Sequence, residues 1–579
     1  MKNKNIFKAL TVVFAAGALA SCSSDYLSLE PNVSVPDTVI TEGDASARAA
    51  MYGIFNCQYS QYNDLYDFRW FNGEPWFSMV YGEVTGADYI SYFWQRSSST
   101  IVNWQAMNAP TYTSNFIPAS YCYGLIAQCN NMIDGVDLSA LEGERAFRVA
   151  QALTIRAHAY TRLLQVYAPR WQDSNNGQAL SVPLRLVRFN VNDFSLERAP
   201  MGDVLDQIYK DLDNALDLYG KSNYGRDYYW ETDEQITMGI YARAALLKND
   251  WQTAQNMAHN ARQGYTIMSA SDYITSGFAT ATSETMWATN DNYAGIYYAS
   301  FGATYACNGP YPILWGTVGA GAISMDLYRH MDAENDVRAR LFFTPDKVDP
   351  ELRPLFYSGD AVASASLNIN NPPTQSNPTS LTMALQAYCE ERYAETGAAG
   401  RWSFPYSIDT DARYQLVAAN TSSGVVSTLA QFGAQTKFWG MDGYGSSSFT
   451  MMRASEMLLI EAEAACHNGD ETTATSCLTE LNKKRISGYT ATSASGSALL
   501  DEVKLARRIE LWGEGFNFFD FKRWNEPIVR NVWEEGNDMS GNWPATMTAG
   551  GLFETSKNNG WQWVLPQNET QYNPATVQK

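Results

Sequence analysis

Residues 143–167 read GERAFRVAQALTIRAHAYTRLLQVY. Ala146, Ala150, Leu153, Ala157, Tyr160, Leu164 and Tyr167 recur there at spacings of four and three, which puts them on one stripe of an α-helix. Glu144, Arg145, Arg148, Arg162 and Gln165 fall on the other side and are expected to face water. Pro169 ends the helix, so the spacing predicts it over about 143–168. The next helix, over about 202–219, repeats the logic. Val204, Ile208, Leu212, Ala215 and Tyr219 point inward, Asp206, Asp211, Asp213 and Asp217 outward, and Gly220 suits the residue just past the end.

Two helical hairpins follow the same rule. One pairs 235–248 with 250–263 across Lys248-Asn249-Asp250, and the other pairs 453–467 with 470–486 across Asn468-Gly469-Asp470. Ala242, Ala245, Leu246, Trp251, Ala254 and Ala258 supply the small-plus-bulky pattern with which helices nest closely. The expected fold is therefore mostly α, with tetratricopeptide-like helical pairs forming a scaffold over about 113–264 and 453–526. Residues 59–112 and 265–450 differ: Gly, Ser, Thr and aromatics dominate, and long aromatic-rich loops with short strands are expected. A scaffold carrying such loops is a common way to build a binding surface. Residues 45–579 are read as a single body.

The chain has 579 residues, 41 Lys+Arg against 61 Asp+Glu, and a net charge of −20. That charge repels nucleic acid and anionic membrane faces, and neither is expected as a partner. With 45% apolar and 18% charged residues the chain is globular. Its four His make imidazole chemistry a poor first expectation. His158, on the 143–168 helix, reads as a hydrogen-bonded helix residue. No HExxH, GxSxG, phosphate loop or EF-hand spacing occurs. No CxxC pair occurs among Cys57, Cys122, Cys129, Cys307, Cys389, Cys466 and Cys477. Cys122 and Cys129 read as small buried residues, although their spacing also suits a disulfide. No catalytic residue, metal site or cofactor is assigned.

The N-terminus sets the compartment. Lys2, Lys4 and Lys8 precede the apolar run Ile6–Ala20, which is too short to span a bilayer and suits a signal peptide over 1–21. Leu19-Ala20-Ser21-Cys22 resembles the lipobox of bacterial lipoproteins. In that reading Cys22 becomes the acylated N-terminus, residues 22–44 form a lipidated tether, and the acyl chains hold the protein to the membrane. Removal of residues 1–21 takes away three Lys and no acid, leaving a charge of −23.

Aromatics make up 13% of the chain, and two segments concentrate them. Residues 66–104 include Trp70, Trp76, Tyr92 and Trp94 among polar neighbours such as Asp88 and Arg96. Residues 287–315 include Trp287, Tyr298 and Trp315. An aromatic plate matches the C–H face of a sugar ring, while Asp, Asn and Arg satisfy its hydroxyl edge. These nine residues are the candidate ligand site.

Five motifs in order resemble the SusD/RagB family. Besides the lipobox, Arg156-Ala157-His158-Ala159-Tyr160 with Val182-Pro183-Leu184 resembles its first repeat helix and exit. Met452–Ala464 resembles its Arg-Leu-Ala-Glu…Ala-Glu-Ala helix. Arg507–Gly515 with Asp520-Phe521-Lys522-Arg523-Trp524 resembles its Glu-Arg-Arg…Glu-Gly…Arg-Trp signature, and Leu565-Pro566…Glu569…Asn573-Pro574 its closing segment. Ala506 and Asn517 depart from the usual Glu and Arg, and Gln567 and Asn568 interrupt the closing Pro motif. Arg508, Glu510, Glu514, Asp520 and Arg523 read as paired charges of the scaffold.

The resemblance implies a lipoprotein on the bacterial outer-membrane surface, anchored at Cys22. It implies a glycan ligand, a SusC-like TonB-dependent transporter as partner, and binding without catalysis. It also implies ligand roles for Trp94, six residues after Asp88, and for Tyr298 and Trp315. The alternatives are a lid for uptake of peptides or another nutrient, or a surface glycoside hydrolase, which would need two carboxylates across a cleft.

Overall fold

The computed structural model describes residues 43–59, 73–90, 99–190, 195–275, 281–289, 322–342, 448–532 and 561–573. Short pieces at 278, 367–368, 419–420, 425–427, 433, 435, 437, 534, 537, 540–543, 552–553 and 575 complete it. Two compact units are distinguished, residues 1–50 and 51–579. Of the first, residues 43–50 are described and begin helix α1 (Asp44–Cys57). The signal peptide, Cys22 and nearly all of the tether lie outside the described residues.

The second unit is mostly helical. Its helices are α2 (Glu74–Phe77), which runs on as a π-helix over Ser78–Glu83, then α3 (Thr113–Ile133), α4 (Gly143–Tyr167), α5 (Met201–Ser222), α6 (Glu234–Lys248) and α7 (Trp251–Ala261). Later come α8 (Ala454–His467), α9 (Glu471–Arg485), α10 (Gly496–Glu510) and α11 (Asn517–Trp524). Packing is largely between consecutive helices: α3 on α4, α4 on α5, α5 on α6, α6 on α7, then α7 on α8 and α8 on α9 and α10. The late helices thus continue the stack begun by the early ones, across about 190 residues of intervening chain.

The hairpin turns explain themselves from sequence. Asn249 takes a left-handed φ of 56° and closes α6, and the next residue, Asp250, caps α7 by accepting from Thr253 N at 3.2 Å. Gly469 (φ +76°) and Asp470, which accepts from Thr473 N at 3.1 Å, repeat the device between α8 and α9. Each cap is worth about 1 kcal/mol. Helix α5 extends past Gly220 to Ser222 and closes on left-handed Asn223 instead (φ 52°). Cys122 and Cys129 are buried, free thiols on α3.

The apolar stripe of α4 is buried, but so is most of the face expected to meet water. Arg148 donates to Glu144 at 3.2 Å and lies against Glu231. Arg162 donates to Glu74 at 2.8 and 3.1 Å. On α5, Asp211 is likewise interior, held by Arg156 through two bonds of 2.7 Å. Charge on a helix face predicts exposure only where no opposite charge meets it, and here α4 is a central helix with polar partners on its second side. His158 is buried too, with Nε2 2.9 Å from Glu74 Oε1.

The strand pairs are short and antiparallel. Strand β1 (Tyr89–Ile90) pairs with β5 (Ala322–Ile323), β2 (Leu180–Pro183) with β3 (Arg198–Pro200), and β4 (Thr285–Ala288) with β6 (Thr450–Arg453). The β2–β3 pair lies within the helical stack, β1–β5 within the loop-rich part and β4–β6 between the two.

Candidate functional site

Two strand pairs root the two aromatic segments. In the β1–β5 ribbon Tyr89 faces Ile323 and Ile90 faces Ala322, so a strand inside the first segment pairs with a strand that follows the second. In the β4–β6 ribbon Ala288 faces Thr450. Thr289 then exchanges bonds with Phe449, N to O at 2.9 Å and Oγ1 from N at 2.8 Å. Residue 290 therefore starts from a backbone position fixed against 448–450. Segments about 200 residues apart in sequence share these anchor points.

Trp70, Tyr92, Trp94, Arg96, Tyr298 and Trp315 lie outside the described residues. Trp76, Asp88 and Trp287 are described, and all three are interior. Trp76 closes α2 inside the core. Trp287 lies on β4, packs edge-to-face on His158 at 5.3 Å, and donates Nε1 to Trp230 O at 3.1 Å. Asp88 takes both ends of the Arg508 guanidinium, at 2.8 and 2.9 Å, and a bond from Asn517 Nδ2. All three are closed off from solvent, and the Trp287 ring and the Asp88 carboxylate are held by protein partners.

Asp88 shows how that support is built. Its carbonyl accepts from Ser324 N at 2.9 Å and from Trp512 Nε1 at 2.8 Å, while Tyr89 stacks on Trp512 at 4.8 Å. The neighbouring Ala87 N donates to Asn517 Oδ1 at 2.8 Å. The root of the first aromatic segment is thus bonded to α11 and to the turn after α10. Arg530, buried between Trp104 and Trp543 at 4.3 and 4.4 Å, donates to Gly86 O and Val102 O and braces the same stretch.

Beneath β4 and β6 sits a buried charge network. Arg453 bonds Glu284 at 2.6 Å, Glu510 at 2.8 Å and Glu514 at 2.7 Å, and Arg485 and Arg338 also reach Glu510. Burial pushes the Glu510 carboxyl up, but Arg485, Arg453 and Arg338 overcome it and hold it well below the usual range. Lys437 donates to Glu514 and to the carbonyls of Glu510 and Trp512, with its own proton affinity lowered by burial. Arg523, Glu463 and Asp520 form a second buried cluster. These charges are joined to one another and read as scaffold. Among the described residues, no group of three or more His, Cys, Asp or Glu is placed to hold a metal ion.

Glu83 is the exception in this interior. Its Oε1 accepts from Gly515 N at 2.6 Å and Phe516 N at 3.0 Å, while Oε2 has no partner. Burial raises its pKa to about 8, against the two backbone bonds that lower it. The native protein then holds a proton that the unfolded chain releases above about 4.5. Native stability must fall as pH rises from about 4.5 to about 8 and level off above, by about 1.4 kcal/mol per unit at most. Glu83→Gln keeps the acceptor and needs no proton. Urea unfolding should show the variant matching wild type near pH 4.5 and exceeding it at pH 8. A constant difference across that window would refute the assignment.

One exposed aromatic group escaped the sequence reading. Between α5 and α6, Tyr224 and Tyr228 are 50% and 51% exposed. The run Tyr224-Gly225-Arg226-Asp227-Tyr228-Tyr229-Trp230 has the same ring-plus-charge character as the two chosen segments but is much shorter.

Comparison with known proteins bears on the whole chain. No curated protein matches. Residues 405–579 match the SusD family, and residues 77–246 match a SusD-like family described as starch-binding associating with outer membrane. Among solved structures, a SusD-like carbohydrate binding protein from Bacteroides vulgatus is 19% identical, with a TM-score of 0.64 over 92% of this chain and 97% of that one. A SusD superfamily protein from Bacteroides thetaiotaomicron is 18% identical (TM-score 0.64, 92% and 99% covered), and one from Bacteroides fragilis 16% identical (TM-score 0.59, 93% and 99%). At these identities the structures speak for the fold. The two family matches together cover more than half of the chain and include the Arg453 helix and the Asp520–Trp524 motif, so the chain belongs to the SusD-like family of the outer membrane.

Proposed function

We propose that this protein is a lipid-anchored surface receptor. It binds an oligo- or polysaccharide without cleaving it and passes it to a SusC-like TonB-dependent barrel. Cys22 carries the anchor, and residues 22–44 form the tether. The observation that supports the reading is the β1–β5 pairing, which brings Ile90 and Ala322, the described residues next to the stretches 91–98 and 290–321, opposite one another. Trp94, Tyr92 and Arg96 fall in the first of those segments, Tyr298 and Trp315 in the second. Aromatic rings from two segments would suit a ligand of several sugar rings better than rings from either segment alone. The description of the family matched by residues 77–246 points the same way.

Affinity electrophoresis and calorimetry against a polysaccharide panel test it. Stacking adds about 0.5–1.5 kcal/mol per ring. Trp94→Ala and Trp315→Ala should therefore each weaken binding about two- to tenfold without abolishing it. Unchanged affinity in both variants would remove these residues from the site, and release of reducing ends by the purified protein would replace the receptor with an enzyme.

A further inference from the structure

The Tyr224–Trp230 loop is built as a ligand platform. Tyr228 lies flat on Trp230, with ring centroids 4.9 Å apart and planes within 8°. Tyr52 meets both edge-on, at 6.5 Å and 4.9 Å. One face of Tyr228 is thereby occupied, and about half of the residue stays open. Tyr224, equally open, leans on Phe147 at 6.4 Å, and Phe147 itself is buried. Single exposed aromatics are ordinary on protein surfaces. Two within five residues, each backed by a further ring, form a set surface whose side chains lose little freedom when a ligand lands.

The loop is also pinned. Arg226 donates to Met286 O at 2.6 Å and Tyr265 Oη at 2.7 Å, and pairs with Asp233 at 2.9 Å. Ala288 N donates to Tyr229 O at 3.3 Å, and Tyr229 Oη lies 3.2 Å from Ser448 Oγ. These bonds run to β4 and to the residues facing it, so the platform hangs on the strand that feeds residues 290–321. Exposed Asn223 and Asp227 flank the two rings with groups that bond hydroxyls.

We infer that Tyr224 and Tyr228, on the loop between α5 and α6, form a preformed stacking subsite for sugar rings. The inference rests on the glycan reading above. A flat exposed ring with an exposed amide and carboxylate next to it in sequence suits a pyranose, with C–H groups on its face and hydroxyls at its edge. The polar residues between the two tyrosines break the continuous apolar area that a protein partner would need.

The test uses the full mature protein with a panel of neutral and acidic polysaccharides and their hexasaccharides, in affinity gels and calorimetry. For the glycan that wild type binds, Tyr224→Ala and Tyr228→Ala should each weaken affinity about two- to tenfold. Tyr228→Phe keeps the ring and should stay within twofold. Near-UV circular dichroism, which sums the environments of all the aromatic side chains, verifies that the variants keep the native packing. If the double alanine variant binds that glycan as wild type does, the subsite is refuted and the receptor reading stands. If wild type binds no member of the panel, both fall. If the alanine variants instead lose capture of a SusC-like barrel at unchanged glycan affinity, the patch is a protein-docking face and the inference is overturned.

Discussion

Arg453→Met should destabilise the protein by about 3–5 kcal/mol, read as the shift in urea unfolding at constant slope. The five N–H groups of Arg453 meet five acceptors: Glu284 Oε1, Glu510 Oε1, the Glu510 carbonyl and both Glu514 oxygens, at 2.6–2.9 Å. The side chain is buried, as are all three glutamates. Removing the cation leaves their carboxylates with Arg485, Arg338 and Lys437 alone. Arg453→Lys keeps the charge but offers three donors, so about 2 kcal/mol should still be lost. A loss under 1 kcal/mol for Met would mean that the remaining cations redistribute freely and that the network is not a lock.

Gly515→Ala should be nearly as damaging, at about 3 kcal/mol or more. Gly515 sits at φ +96°, and a Cβ there would lie 2.5 Å from Ser78 Cβ and 2.9 Å from its Cα. Across the same crossing, a Cβ on Gly82 would lie 2.2 Å from Gly515 O. Two backbones therefore touch where the π-helix meets the turn after α10, and Glu83 clasps that turn through Gly515 N and Phe516 N. Gly469→Ala separates the causes. Its φ is also left-handed at +76°, but nothing stands within 4 Å, so only the conformational penalty of about 1 kcal/mol applies. Equal losses at the two glycines, measured by urea unfolding, would show that close contact plays no part.

Much of the scaffold was legible because helical period and turn chemistry are local. The α4 and α5 stripes and both hairpins follow from residues a few positions apart. The interior position of Arg148, Arg162 and Asp211 was not legible, because their partners Glu231, Glu74 and Arg156 lie 55–88 residues away. The interior position of Asp88 was not legible for the same reason. Its partners Arg508 and Asn517 are more than 400 residues distant, and nothing beside Asp88 announces them. Asn517, a departure from the family's usual Arg, has a definite role there: its amide serves both Asp88 and Ala87 N. The Tyr224–Trp230 run was readable as composition, but a short stretch between two strong helices invites the reading of a mere connector.

The β1–β5 ribbon bears on how specificity can be transplanted among relatives. Its register, Tyr89 to Ile323 and Ile90 to Ala322, supplies two cut points, and the Ala288–Thr450 pairing supplies a third. A graft spliced at 90/91, 98/99 (where the helix Ser99–Val102 begins), 289/290 and 321/322 exchanges both stretches as one cassette and leaves the β1–β5 and β4–β6 pairings to the recipient. Exchanging either stretch alone would leave a donor insert on one strand of the ribbon and the recipient's own stretch on the other. Selection can therefore treat two stretches 200 residues apart as a single heritable unit of recognition.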